Sequence, residues 1–129
     1  MLIKPNSTLV TLAISILGLL ATMMPSIAGG ADVVGVKVAK SGNAFRFDVT
    51  LKHADTGWKH YANKWEVVDP AGKVLGTRVL YHPHVDEQPF TRSLSGVKIP
   101  ASVKMVTVRA YDSKHGGDGG KHMTIDVPH

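Results

Sequence analysis

The chain has 129 residues, 15 Lys and Arg against 10 Asp and Glu, seven His and no Cys. This length suits one domain, and a chain without cysteine has no disulfides, no thiolate metal ligands and no cysteine nucleophile. The formal net charge of +5 is spread along the chain instead of being gathered in one basic patch. That distribution argues against nucleic-acid binding.

Residues 1–28 have the pattern of a secretory signal peptide. Lys4 provides the basic start, Leu9 to Leu20 is largely apolar, and Ser26-Ile27-Ala28 is a small-x-small pattern before a cleavage site. We predict cleavage after Ala28, with cleavage after Ala31 as the alternative. The apolar stretch is shorter than the roughly 20 residues that a spanning helix needs. We therefore expect a periplasmic or secreted protein with no stable membrane insertion after cleavage.

Residues 29–129 are expected to fold as one domain made of short strands. Apolar and polar residues alternate in Phe45 to Lys52 and again in Val106 to Tyr111, which is the pattern of strands with one buried face. The same alternation predicts that Val34, Val36 and Val38 point inward. Further strands are expected around Trp65 and Val67, at Val74 to Tyr81, at Phe90 to Val97 and at Met123 to Val127. The sequence therefore predicts an all-β fold, a single antiparallel two-sheet sandwich of about seven strands.

Two features of the mature chain resemble known exported proteins. Val106 to Ser113, the glycine-rich loop and the last alternating strand resemble the final hairpin of bacterial immunoglobulin-like and fibronectin-like domains. The strings H-Y-A-N-K-W-E-V (60–67) and L-Y-H-P-H-V-D-E-Q-P-F-T-R-S-L (80–94) resemble small exported bacterial β-sandwich proteins of uncharacterised function. The resemblance implies an immunoglobulin-like sandwich. It implies no substrate, because a fold does not by itself determine a function.

The segment His82-Pro83-His84 has the clearest metal-binding chemistry in the sequence. Proline restricts its own backbone and favours extended geometry for the residue before it. In an extended backbone, His82 and His84 point to the same side. Two imidazoles held in this way can share a metal ion, and Glu87 can add an oxygen ligand. We predict a metal site at these residues.

A further imidazole from elsewhere in the chain would complete this site. The candidates are His60, which lies among aromatic residues, and His115, which lies in the glycine-rich loop. Imidazole and carboxylate ligands suit a Cu or Zn ion, among other transition metals. In the alternative interpretation the histidines are structural, bond to the backbone or to carboxylates, and bind no metal.

Arg92 is unexpected where the sequence places it. In a regular strand from Phe90 to Leu94, Arg92 shares a face with the apolar residues at both ends. Because an unpaired buried charge is very costly, we expect a structural ion pair between Arg92 and Asp86, Glu87 or Glu66.

A second candidate surface is aromatic. Trp58 and Tyr61 lie close together in the sequence, and such side chains can contact sugar rings or peptide. This pair is the basis of an alternative function, in which the protein is an interaction module for an envelope protein or a glycan.

The sequence gives little support for catalysis. The serines near residue 93 have no nucleophile-elbow context, and the adjacent Asp86 and Glu87 point to opposite sides of an extended backbone. The prediction is therefore an exported, non-enzymatic binding or accessory protein that coordinates a Cu or Zn ion through its His-Pro-His loop.

Overall fold

The computed structural model describes residues 29–129, so the predicted signal peptide lies outside the described residues. The strands are β1 (Asp32–Ser41), β2 (Ala44–Lys52), β3 (Ala62–Val68), β4 (Val74–Val79), β5 (Phe90–Val97), β6 (Met105–Asp112) and β7 (Met123–Asp126). Within residues 29–129, no helix has the length and apolar character needed to cross a bilayer.

The seven strands form two antiparallel sheets. One sheet has the order β1-β2-β5 and the other has the order β4-β3-β6-β7, and every paired neighbour is antiparallel. The predicted all-β, antiparallel two-sheet sandwich is therefore confirmed. The fourth strand pairs with β3 and not with β5. The narrower immunoglobulin-like label stays a prediction.

The core lies between the two sheets. Strand β2 places Phe45, Phe47, Val49 and Leu51 at 2% exposure or less, because residues two apart share a face. These side chains form one apolar cluster with residues of the other sheet, among them Trp65, Val67, Val106, Val108 and Ala110. The apolar residues of the alternating pattern therefore face the core.

The start of β1 differs from the sequence prediction. Val33 is buried at 3% exposure, whereas Val34 is 45% exposed. The register of β1 against β2 shifts between Val33 and Gly35. Such a bulge adds one residue to the strand, so the alternation of inward and outward side chains shifts by one position across it. Val36 and Val38 pack against the core as expected, but the prediction that Val34 points inward is wrong.

Four strand ends meet at one end of the sandwich. Asp32 at the start of β1 pairs with Lys52 at the end of β2, and Ala62 at the start of β3 pairs with Asp112 at the end of β6. The side chain of Asp55, three residues after β2, accepts a hydrogen bond from the Ala62 amide. This contact joins the end of β2 in one sheet to the start of β3 in the other. Residues that follow β2 or precede β3 are therefore brought together there.

We predict that Val33→Ala destabilises the protein more than Val34→Ala does, because the bulge leaves Val33 buried and Val34 exposed. Loss of two buried methyl groups at Val33 should lower the free energy of unfolding by about 1.5–3 kcal/mol. The same change at the exposed Val34 should cost about 1 kcal/mol or less. Urea unfolding of both variants measures this difference. Equal destabilisation of the two variants would contradict the observed register.

Candidate metal centre

Three ligand-type side chains converge at the end of the sandwich where the strand ends meet. His53 follows β2, His60 precedes β3 and Asp112 ends β6, and one ligand atom of each lies within 4.8 Å of the others. His53 Nε2 is 3.6 Å from Asp112 Oδ2, and His60 Nε2 is 3.7 Å from Asp112 Oδ1. The side chains of His53 and Asp112 are 2% and 0% exposed, against 19% for His60. The cluster is therefore buried and is most accessible on its His60 side.

The carboxylate of Asp55 orients His53. Asp55 Oδ1 accepts hydrogen bonds from Nδ1 of His53 and, at 3.0 Å, from the backbone N–H of Ala62. Asp55 Oδ2 accepts a hydrogen bond of 2.8 Å from the backbone N–H of His84. Because the His53 ring donates through Nδ1, its Nε2 faces the cluster. Histidines that bind metal commonly have such a carboxylate partner behind them.

Acceptor oxygens surround the Nε2 atoms of both histidines. The carbonyl oxygen of Gly29 lies 3.0 Å from His53 Nε2 and 3.3 Å from His60 Nε2, and the Asp112 carboxylate lies beside both rings. A neutral His53 that donates through Nδ1 has no proton on Nε2. Two arrangements resolve this: a second proton that makes His53 an imidazolium between two aspartates, or a metal ion bound by the same atoms.

The turn after β6 keeps Asp112 ionised. The backbone N–H groups of Lys114 and His115 donate to Asp112 Oδ1, and His115 Nδ1 lies 3.2 Å from both carboxylate oxygens. Burial raises the pKa of Asp112, but the hydrogen bonds from His115 and Lys114 outweigh it and hold the pKa below the ordinary value of 3.8. Asp112 therefore brings a negative charge to the cluster at neutral pH.

The donor set fits a divalent transition metal. Zinc binds imidazole nitrogen at about 2.0–2.1 Å, which places two ligands of a tetrahedral ion about 3.4 Å apart. The separations of 3.6 and 3.7 Å between the imidazoles and Asp112 are too long for hydrogen bonds and close to that value. Two imidazoles and a carboxylate, with the imidazole of His115 and the carbonyl of Gly29 adjacent, suit Zn, Cu, Ni or Fe(II).

The structure divides the predicted metal ligands between two places. His60 and His115 lie in the cluster, with ring centroids 5.1 Å apart. His82, His84 and Glu87 lie outside it and, within residues 29–129, form no converging group of three ligand atoms. The expectation that His60 or His115 joins His82, His84 and Glu87 in one site is therefore corrected. The reason is that the His-Pro-His loop packs behind His53, through Asp55, and not in front of it.

The imidazole of His84 is already engaged. It stacks on Phe90 with 4.0 Å between ring centroids, and Arg92 Nη2 donates to its Nε2 at 2.8 Å. Burial and then the positive charge of Arg92 lower the pKa of His84 below the ordinary 6.5. The His82 ring lies 4.7 Å from His84, and its Nδ1 is 3.3 Å from the carbonyl of Pro83. This pair of imidazoles therefore packs as part of the loop.

Arg92 contacts one of its three expected partners. Its Nη1 donates to Glu87 Oε1 at 3.3 Å. Glu66 lies on β3, where it is paired in register with Arg109 of β6 and accepts a hydrogen bond from its Nε. Asp86 makes no ion pair within residues 29–129. Of the three expected partners, Glu87 forms the ion pair with Arg92. Glu66 lies in the other sheet, so the alternatives Glu66 and Asp86 are not the partners of Arg92.

The aromatic pair lies in the connection that also carries His60, one of the candidate ligands. Trp58 is 68% exposed, and its ring meets that of Tyr61 nearly edge-on, with centroids 5.7 Å apart. Both residues belong to the connection between β2 and β3, which also carries His60. The predicted contact surface thus includes an exposed tryptophan and a half-buried tyrosine.

Sequence reasoning missed three residues of the centre: His53, Asp55 and Asp112. His53 and Asp112 each come at the end of an alternating strand, where a polar residue is ordinary. A signal was present, since each is followed within one connection by a second histidine, His60 or His115. The spacing gives two local pairs, His53 with His60 and Asp112 with His115. It does not show that the two pairs meet in space, because that depends on how distant strands pair.

Comparison with known proteins gives one relative in sequence. No protein-family model matches the chain. Over 98 residues the chain is 42% identical to a protein of Halomicrobium mukohataei that bears the name "Putative lipoprotein". The match covers 75% of this chain and 47% of that protein, so the chain spans about half the length of the relative.

One solved structure shares the fold at low identity. The hypothetical protein PH1083 of Pyrococcus horikoshii OT3 superposes with a TM-score of 0.50 at 14% identity, covering 79% of this chain and 96% of that one. This likeness shows the fold alone. The superoxide reductase of Giardia intestinalis gives a TM-score of 0.44 at 17% identity, covering 74% and 99% of the two chains. That similarity is too low to carry an argument.

We predict that the imidazole of His84 titrates below pH 6.5 and that Arg92→Met raises its pKa, because the guanidinium disfavours a second positive charge. The unfolded chain binds this proton first as the pH falls. Stability contributed by neutral His84 is therefore complete above pH 6.5 and is lost as the pH falls towards the folded pKa. NMR titration of the ring protons in both proteins measures the shift. An unchanged His84 pKa in Arg92→Met would contradict the role given to Arg92.

Proposed function

We propose that the chain is an exported, non-enzymatic protein that binds one divalent transition-metal ion for sequestration or delivery. The ligands are His53, His60 and Asp112, with His115 as a fourth ligand within reach. The observation that carries this proposal is the convergence of three metal-ligand atoms. The Nε2 atoms of His53 and His60 lie 3.6 and 3.7 Å from the carboxylate of Asp112. A cation in their midst satisfies all of them at once.

The charges of the cluster favour a cation over any other ligand. The side chain of Asp112 is fully buried and ionised, and a buried charge is costly unless it is compensated. The His115 ring and the backbone amides of the turn supply part of that compensation. A bound divalent ion supplies the rest, and His53 and His60 then act as neutral ligands.

The donor set indicates a class of metal and leaves the choice within it open. Nitrogen ligands without thiolate suit Cu or Zn, the two ions expected from the sequence. His53, His60 and Asp112 are also a two-histidine, one-carboxylate set, which holds Fe(II) in other proteins. Cu(II) and Zn(II) are the first probes because copper binds such sites most tightly among the first-row divalent ions and zinc commonly binds imidazole and carboxylate ligands.

Export is supported by the signal-peptide pattern of residues 1–28 and by the name of the Halomicrobium relative, which describes that protein as a lipoprotein. We place the chain in the cell envelope or outside the cell on these grounds. In that setting, a small sandwich with a buried cation site can hold or hand over a metal ion without changing its fold.

The alternative function is an interaction module for an envelope protein or a glycan. The exposure of Trp58 beside Tyr61 supports it. In that case, His53 carries a proton on both ring nitrogens, no metal ion is bound, and the histidines are structural. The two functions make opposite predictions for a metal titration, because an interaction module would bind added metal only weakly, through its exposed histidines.

We predict that the mature chain binds one equivalent of Cu(II) or Zn(II) and that His60→Gln weakens this binding at least about a hundredfold. His60 is the most accessible of the three ligands, so its replacement should leave the core intact. Isothermal titration calorimetry of the tag-free chain measures the affinity, and His82→Gln is the matched control on the loop outside the cluster. Equal affinities in His60→Gln and the wild type would refute the assigned ligands, and weak heats throughout would favour the interaction module.

We also predict that Asp55→Asn lowers metal affinity by about 10–100-fold although Asp55 does not touch the ion. The amide has one acceptor oxygen in place of two, so it can serve only one of the backbone N–H groups of Ala62 and His84. It also no longer favours a proton on Nδ1 of His53. Asp126→Asn, an exposed change on β7, is the control for the lost charge. The same titration reports both variants, and circular dichroism checks that they fold. Wild-type affinity in Asp55→Asn would show that His53 does not need this partner.

A further inference from the structure

Gly29 lies inside the metal centre, at the start of the predicted mature chain. It is buried, and its carbonyl oxygen lies 3.0 and 3.3 Å from Nε2 of His53 and His60. A Cβ atom on Gly29 would lie 2.7 Å from Cε1 and 2.8 Å from Nε2 of His115. The Cα of Gly29 is therefore packed against a third imidazole, and this residue lies among all three histidines of the centre.

The glycine-rich loop fixes this first segment. A Cβ on Gly30 would lie 2.0 Å from the backbone nitrogen of Gly120, and a Cβ on Gly120 would lie 1.9 Å from the carbonyl oxygen of Ala31. The two backbones thus pack with no room for a side chain. Ala31 is fully buried, and the Val33 amide donates to the Lys121 carbonyl at 2.8 Å. The fold, and not the preceding chain, sets the position of residue 29.

This packing bears on where the signal peptide is removed. Cleavage after Ala31 would take away a core residue and, with Gly29, a group of the metal centre. Cleavage after Ala28 keeps both. It also makes Gly29 the first residue of the mature chain, so the nitrogen of its former peptide bond becomes a free α-amino group.

We propose that the α-amino nitrogen and the carbonyl oxygen of Gly29 bind the metal ion together, so that signal-peptide removal completes the site. This inference rests on the proposed function. The amine nitrogen, Cα, carbonyl carbon and oxygen of one residue close a five-membered ring with a metal ion, and the oxygen already lies between His53 and His60. The amine loses one proton to solvent when it binds, and no other bond changes.

The uncleaved precursor cannot offer this ligand. In the precursor, the nitrogen of Gly29 is an amide whose lone pair is delocalised into the carbonyl of Ala28, and an intact amide N–H is a hydrogen-bond donor only. Metal loading then depends on processing. The centre reaches full affinity outside the membrane, where the signal peptide has been removed, and stays weak before export.

Three forms of the mature domain test this inference. The first begins with the free amine of Gly29, the second carries an acetyl group on that amine, and the third retains Ala28 in front of Gly29. The third form keeps a positively charged amine but moves it by one residue. Each is titrated with Cu(II) and with Zn(II), and each is also prepared as His60→Gln. For the Cu(II) complex of the first form, electron paramagnetic resonance with ¹⁵N-labelled glycine reports whether a glycine nitrogen is coordinated.

The acetylated and extended forms should bind at least about tenfold more weakly than the free-amine form, and the ¹⁵N label should change the nitrogen couplings of the free-amine form. Equal affinity of the three forms, with binding still lost in His60→Gln, would overturn the role of Gly29 and leave the proposed function intact. Absence of binding in every form would overturn both. Mass spectrometry of the exported protein should show Gly29 as the first residue, and a start at Asp32 would overturn the inference.

Discussion

The carboxylate of Asp55 is the group on which the centre depends. Its side chain is fully buried, and it accepts hydrogen bonds from the His53 ring, from the Ala62 amide and from the His84 amide. A buried carboxylate is very costly unless its oxygens are hydrogen-bonded. The end of β2, the start of β3 and the loop before β5 are therefore held around one group, and the orientation of His53 follows from it.

The His-Pro-His loop acquires a supporting role in this arrangement. Besides the His84 amide that binds Asp55, the side chain of Gln88 accepts a hydrogen bond from the His53 amide at 3.0 Å and donates to the His84 carbonyl at 2.9 Å. The loop thus fixes the backbone at His53 from the side away from the cluster. The same packing buries the ring of His84 against Phe90 and Arg92, and its Nε2 is engaged by the Arg92 guanidinium.

The strands were predictable because their cause is local. Residues two apart share a face, so the alternation in β2 and β6 showed which side chains enter the core, and Trp65 and Val67 followed the same rule. The prediction failed at Val34 because a bulge depends on how β1 pairs with β2, and a single strand does not contain that information. The candidate metal ligands show the same division. His60 and His115 were identified by residue type, but they were expected to join the His-Pro-His loop, from which the structure separates them.

The sequence by itself determined the fold class, the order of the strands along the chain and the presence of histidines and carboxylates suited to a cation. Each of these depends on composition or on spacing within one segment. Only the tertiary structure decided that Gly29 and Asp112 meet the pair His53 and His60, because these three segments are separated by whole strands. Antiparallel pairing places the ends of β2 and β6 at the same end of the sandwich as the starts of β1 and β3. The centre exists because those four strand ends coincide there.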